Sequence, residues 1–336
     1  MSEASRSQGS AGRAGQIVLG VLVSALTVYL AVRHVDLAQV GQALRAARPG
    51  WVALALLSVA VSILAKAYRW KLLLPGVPFG RLLLALLAGA MLNYYLPARL
   101  GDLSRAYAAG EPGEGRARAL GSVALEKVFD LVAYALLFLL LLLLIPLPEW
   151  ASQSGLTAVL AAVVGVTATI LVAYQRGYFL KLFERWLSKF PPSWQRFAGS
   201  RLQAGLESLD ALQGTRQLVG LSFWSALIWL AALATNQLVL QALDLRLPWT
   251  ASLLVLVVLQ VGITLPSVPG RIGIFEYLCI LSLVVFGVAQ AQALTFGILL
   301  HAVVLVPTTL AGLVAMWLLG LKGHWSLGVP TIGGDE

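Results

Sequence analysis

Asn93-Tyr94-Tyr95-Leu96-Pro97-Ala98-Arg99-Leu100-Gly101-Asp102-Leu103-Ser104-Arg105 sets two arginines and an aspartate between apolar segments. Pro97 ends any helix arriving from residues 82–96, because it has no N–H and its ring clashes with the preceding turn. Gly101 permits a sharp bend. A half-helix that stops and turns beside charge is a recurring element of transporter binding sites. A second copy follows far downstream, Pro266-Ser267-Val268-Pro269-Gly270-Arg271-Ile272-Gly273-Ile274-Phe275-Glu276. The shared core is Pro-x-Arg-(Leu/Ile)-Gly, at Pro97/Arg99/Gly101 and at Pro269/Arg271/Gly273, each with an acid behind it, Asp102 and Glu276. Matching interruptions in two halves of a membrane protein point to an internal duplication around a midplane site. The competing reading is two ordinary loops in which proline and glycine collect.

The composition sets the solvent. Of 336 residues, 59% are hydrophobic and 12% charged, and the mean hydropathy is +0.84. The apolar runs are rich in Leu, Ala and Val and do not alternate, which selects helices over a barrel. The expected fold is all-α, a polytopic membrane bundle of seven to nine spans with two Pro/Gly-broken re-entrant segments. A net charge of +9 is read as Lys and Arg in cytoplasmic loops. No nucleic-acid motif is present, so no nucleic-acid partner is expected. The single cysteine, Cys279, excludes an intrachain disulfide and a cysteine metal cluster. With only His34, His301 and His324 beside it, no metal or cofactor is expected.

Along the chain, residues 1–16 read as a disordered cytoplasmic tail, 17–320 as one transmembrane domain and 321–336 as a second tail. Residues 17–32, closed by Arg33-His34, read as an uncleaved first span and not as a signal peptide. A loop with a short helix covers 33–50, and a second span runs from Trp51 to about Ala67. Lys66, Arg69, Lys71 and Arg81 around Pro75-Gly76-Val77-Pro78 form a cytoplasmic basic loop. The run 82–96 falls short of the roughly 20 residues a crossing needs. It is read as a re-entrant half-helix. A polar loop over 106–118 precedes a long span at 119–145, which Pro146 and Pro148 end; 146–155 is external and 156–174 returns. The basic stretch 176–216 places Phe179, Phe183, Trp186 and Leu187 at helical spacing. It is either an amphipathic pair on the inner leaflet or a linker packed on the protein. A span at 218–243, a short segment at 250–265, and apolar segments at 274–287 and 293–319 complete the chain. With the basic loops inside, the break at 97 is reached from inside and the break at 269 from outside, the pattern of an inverted repeat.

Ionisable residues at membrane depth are costly and are functional candidates by default. They are Arg99, Asp102, Arg105, Glu126, Lys127, Asp130, Arg271 and Glu276, with Asn93 as a neutral contact. Glu126 and Asp130 share a helix face, and Arg99 and Arg105 each lie three residues from Asp102. Such a cluster holds a phosphate yet stays nearly neutral when empty. Arginine suits that task through its planar fork, and broken helix N-termini add anion-directed N–H groups. The competing reading places 97–118 at the interface, where arginines snorkel, with Glu126 near a helix start that favours an acid. His301 reads as a packed, hydrogen-bonded histidine.

Three motifs in order carry a family resemblance: Asn93…Leu96-Pro97-Ala98-Arg99-Leu100-Gly101-Asp102…Arg105, Leu125-Glu126-Lys127-Val128-Phe129-Asp130 and Pro269-Gly270-Arg271-Ile272-Gly273-Ile274-Phe275-Glu276. Over roughly residues 15–320 the chain resembles the lysylphosphatidylglycerol synthase transmembrane family, the flippase-like domain of multiple peptide resistance factors. The resemblance implies a multi-pass protein of the cell (inner) membrane, N-terminus cytoplasmic, that moves a phospholipid or polyisoprenoid lipid between leaflets. Asp102 stands where that family often has glutamate, and Arg271 where glycine is common. The chain ends at Glu336 with no soluble acyltransferase domain, so no synthesis of lysyl lipid and no enzymatic activity is expected. Expected partners are a membrane lipid and, among proteins, a second copy of the chain or a lipid-synthesising enzyme. No nucleotide-binding loop is present, so movement runs down a gradient or on coupled ions, with Glu126, Asp130 or Glu276 as protonatable groups. Two alternatives stay open: an integral membrane enzyme on lipid phosphates, and an accessory subunit of envelope metabolism. The first lacks a His-Glu-x-x-His, a Gly-x-Ser-x-Gly and an aspartate-rich metal motif.

Overall fold

Four helices are long and apolar enough to cross a membrane: α3 (Pro49–Leu73), α6 (Glu114–Leu144), α8 (Thr215–Ala242) and α11 (Gln290–Leu321). Even the shortest, with 25 residues, is about 38 Å long at 1.5 Å per residue, and clears a hydrocarbon core of about 30 Å. Between them lie shorter elements, α1 (Leu22–Val32), α2 (Leu37–Arg45), α4 (Phe79–Tyr95), α5 (Leu100–Ala109), α7 (Arg176–Leu187), α9 (Trp249–Gly262) and α10 (Ile274–Val284). The computed structural model describes residues 22–33, 35–96, 99–111, 113–145, 175–188, 214–262 and 268–321, with scattered positions between 160 and 209. Among these the protein is all-helical, with large apolar side chains such as Leu136, Leu143, Leu230 and Trp317 exposed on the outer faces of the long helices. In a membrane such faces meet lipid. The expected tails, the 146–155 loop, most of the 156–174 return and Pro191-Pro192 lie outside the described residues.

The helix α3 starts with Pro49 in its first turn, where a missing N–H costs nothing. It pairs along its length with α8. Arg48 N–H donates to Ala242 O, Ser58 Oγ to Ala231 O, and Gln217 Nε2 to Leu72 O. Numbers rise along one helix as they fall along the other, so the two run antiparallel. Each then feeds a short hairpin from its C-terminal end, α4–α5 after α3 and α9–α10 after α8. The hairpins therefore penetrate the bundle from opposite ends.

The first hairpin closes on glycine. A Cβ on Gly89 would stand 2.6 Å from Gly101 O, and one on Gly101 would run into Gly89 O, so the two backbones touch. Arg81 Nε donates to Ala108 O (2.8 Å) at the open end, and Asn93 Nδ2 to Asp102 (3.2 Å) near the tip. In the second hairpin Gly262 lies under Leu278. With 17 and 10 described residues in one hairpin and 14 and 11 in the other, the described arms reach at most about 26 Å, short of a hydrocarbon core of about 30 Å. The tips meet: the turn Pro269–Arg271 lies against the end of α4.

Exchanging α3, α4, α5 and α6 for α8, α9, α10 and α11 maps the helix contacts onto themselves. The α4–α11 contact matches α9–α6, α5–α6 matches α10–α11, α3–α11 matches α8–α6, and α3–α6 matches α8–α11.

Two boundaries move from the sequence expectation. The helix α3 runs on to Leu73, so Lys66, Arg69 and Lys71 are helical and not in a loop. The polar loop expected over 106–118 shrinks to residues 110–113, because α5 continues to Ala109 and α6 begins at Glu114. Polarity was the misleading signal. Arg105 and Arg118 sit within these helices because each finds an acid, Glu126 and Glu207 respectively.

Candidate functional site

Glu126 is the centre of a buried ion-pair network. It sits on α6, 2% exposed, between two arginines from different elements. Arg105 of α5 places Nη2 2.7 Å from one carboxylate oxygen, and Arg69 of α3 places Nε 3.6 Å from the other. Arg69 also meets Asp130 (2.8 Å) and donates to Ser225 on α8 (3.0 Å). Arg105 reaches Asp102 (3.3 Å), which holds Lys127 Nζ at 2.9 Å and accepts from Asn93. The Arg105 guanidinium also lies 4.8 Å from the ring centre of Trp70. Three bases, Arg69, Arg105 and Lys127, thus face three acids, Asp102, Glu126 and Asp130. A buried charge is tolerated only when paired and hydrogen-bonded. The balance lets the cluster stay buried, and it ties the first hairpin to α3, α6 and α8.

Arg69 escaped the sequence reading. It is 2% exposed, yet in sequence it looks like one of four basic residues near a Pro-Gly turn. Its partners lie 57 and 61 positions away, so no local pattern reveals them. Lys66, one turn earlier on α3, is exposed and makes no salt bridge among the described residues, but its charge acts on Asp130 and on the bases Arg69, Lys127 and Arg105 at the edge of this ion-paired set.

The second hairpin carries a smaller pair. Glu276 is the third residue of α10, and its Oε2 accepts from Gly273 N–H (2.7 Å). Its Oε1 lies 2.6 Å from His301 Nδ1 on α11, and the imidazole stacks on Phe275 with centres 4.4 Å apart. Asp102 is likewise the third residue of α5 and likewise reaches a base, Lys127, on the next long helix. Each acid therefore joins the return arm of its hairpin to the helix that follows.

Arg99 and Arg271 stand apart from both pairs. Neither has an acid within salt-bridge distance among the described residues. Arg99 is exposed and directly precedes α5. Arg271 is half-buried, directs Nη2 at Asn93 O (3.5 Å) and sits 5.1 Å from the ring centre of Tyr94. Both take the left-handed backbone conformation, φ 54° and φ 59°. For a non-glycine residue that costs roughly 1–3 kcal/mol. The repeated motif is thus a repeated backbone conformation, at the same arginine in each copy.

The eight residues expected at the site fall into these three groups around the hairpins. Arg105, Glu126 and Asp130 join through Arg69, with Asp102 tied to them by Arg105; Glu276 pairs with His301; Arg99 and Arg271 lie at the tips, with Asn93 touching both Asp102 and Arg271. Against known proteins, the family profile described as the lysylphosphatidylglycerol synthase TM region matches residues 17–312. No curated protein and no solved structure gives a significant match.

Proposed function

Because the chain belongs to the lysylphosphatidylglycerol synthase transmembrane family, we propose that it carries a phospholipid or polyisoprenoid lipid between membrane leaflets without acting as an enzyme. The observation that carries this reading is the meeting of two charged hairpin tips that penetrate the bundle from opposite ends. In this reading neither hairpin crosses and the tips lie at depth, where backbone breaks are tolerated only against protein or a polar cavity. Substrate sites of secondary transporters occupy that position, at the interface of inverted repeats.

In this reading the two halves are an inverted repeat related by the exchange of α3–α6 with α8–α11. The headgroup passes the tips, touching Asn93, Arg99 and Arg271, while acyl chains stay in the bilayer along the apolar outer faces. The balanced Arg69–Glu126–Arg105–Asp102 network is the hinge side. A headgroup phosphate approaching from Arg99 competes with Asp102 and Glu126 for Arg105 and loosens the first hairpin. Rocking of one half against the other then exposes the tips to each face in turn. The protein resides in the cell membrane, and the face bearing Lys71, Arg81, Arg116 and Arg118 is cytoplasmic by the positive-inside rule.

The test is lipid translocation in proteoliposomes holding fluorescent lipids of several headgroup classes, with dithionite bleaching the outer leaflet. Wild type is expected to expose inner-leaflet lipid of at least one class faster than empty vesicles do. Arg99→Ala is expected to lose that movement at normal expression, and Glu126→Gln, which also weakens the first hairpin, to lose it as well. Rates equal to empty vesicles for every class, polyisoprenyl phosphates included, refute transport.

A further inference from the structure

The charges at the hairpin junction do not balance, although those around Glu126 do. Arg99 and Arg271 are brought there by two separate strained turns, each holding its arginine at a positive φ. Arg271 reaches the end of α4 at Asn93 O, Asn93 in turn holds Asp102 in the first turn of α5, and Arg99 directly precedes that turn; no acid among the described residues lies within salt-bridge distance of either arginine. Strain of this kind persists where the surrounding structure enforces it, and it clusters at ligand clamps. Arg271 is held from beneath by Asn93 O and the face of Tyr94, which positions its guanidinium without neutralising it.

We infer that the junction grips a terminal phosphate or diphosphate between Arg99 and Arg271, so that the lipid handled is an acidic lipid phosphate and not a zwitterionic or aminoacylated one. The inference rests on the transport reading for its setting. Each guanidinium offers a planar two-pronged donor fork. A phosphodiester headgroup has one charge and two free oxygens, enough for a single fork. A terminal phosphate carries about −1.5 to −2 charges and three acceptor oxygens, enough for both. A lysyl headgroup brings a further ammonium to a junction already carrying two cations, and like charges there repel.

Calorimetric titration of the purified full chain in detergent tests this without any transport readout. The probes are dihexanoyl phosphatidic acid, the matching phosphatidylcholine, phosphatidylglycerol and lysylphosphatidylglycerol, and inorganic phosphate. Phosphatidic acid is expected to bind about tenfold or more tightly than the other lipids, since one additional charge-assisted contact is worth about that factor. Arg99→Ala and Arg271→Ala should each abolish the preference, and Arg99→Lys and Arg271→Lys should keep part of it, which guards against misfolding. Arg246→Ala, in the loop between α8 and α9, should leave it unchanged. Phosphatidylcholine or lysylphosphatidylglycerol binding as tightly as phosphatidic acid overturns the inference. So does a preference that survives in the alanine variants. Inorganic phosphate binding as tightly as phosphatidic acid overturns the lipid as its source. A protein that moves lipid without this preference refutes the headgroup and leaves transport standing. One that binds phosphatidic acid but moves no lipid does the reverse.

Discussion

Glu126→Gln is the sharpest perturbation of the buried network. The amide keeps the shape of the side chain and removes one negative charge. Before the change, three bases face three acids; after it, Arg69, Arg105 and Lys127 face only Asp102 and Asp130. One guanidinium charge is left uncompensated in a site where Arg69 is 2% and Arg105 7% exposed. Breaking a buried pair by removing one partner costs about 3–5 kcal/mol. The value expected here is about 3 kcal/mol, because Arg105 keeps Asp102 and Arg69 keeps Asp130. The assay is unfolding in mixed micelles by titration with dodecyl sulfate, followed by tryptophan fluorescence. The double variant Glu126→Gln/Arg105→Gln restores neutrality and should recover part of the loss, a coupling of about 1–3 kcal/mol. A Glu126→Gln protein within 1 kcal/mol of wild type, or strictly additive losses, would show that the pairing does not hold the hairpin.

Gly101→Ala should prevent the first hairpin from closing, since the added methyl meets Gly89 O and stands 2.7 Å from Asn93 N. A loss of at least the 1–3 kcal/mol typical of overpacking is expected in the same unfolding assay, and wild-type stability would contradict the backbone contact. Arg118→Ala removes an exposed pair with Glu207, the Arg118 side chain being 51% exposed. It should change stability by less than about 1 kcal/mol, and a larger loss would mean that this pair is buried by lipid or a partner.

The helical class and the broken segments are legible in the sequence because both are local. Apolar runs declare spans, and Pro97 or Pro269 declares a stop. The depth of Arg69 is not legible. Its desolvation is offset by acids on α6, and a helix that carries a paired arginine looks in sequence like one that has ended. The same holds for the return arm α5, whose serine, arginine and aspartate read as loop until Asp102 and Arg105 are seen to face Lys127 and Glu126. His301 shows the reverse case. A histidine in an apolar run is read as packed and hydrogen-bonded, and its ring stacks on Phe275 with Glu276 at 2.6 Å. Only the partner required the fold. The Pro-x-Arg-(Leu/Ile)-Gly core is brief, yet at both copies its arginine takes the left-handed conformation.

Approach of the two hairpins from opposite membrane faces is the premise of transport, and it is directly measurable. Cys279 is buried, so Cys279→Ser gives a cysteine-free background. Gly76→Cys and Arg246→Cys place single thiols at the open ends of the first and second hairpins, where a Cβ on Gly76 meets nothing within 4 Å and the Arg246 side chain is 84% exposed. A membrane-impermeant maleimide applied to sealed, oriented vesicles is predicted to label one variant only from inside and the other only from outside. Labelling of both from the same side would place both hairpins on one face and contradict the account.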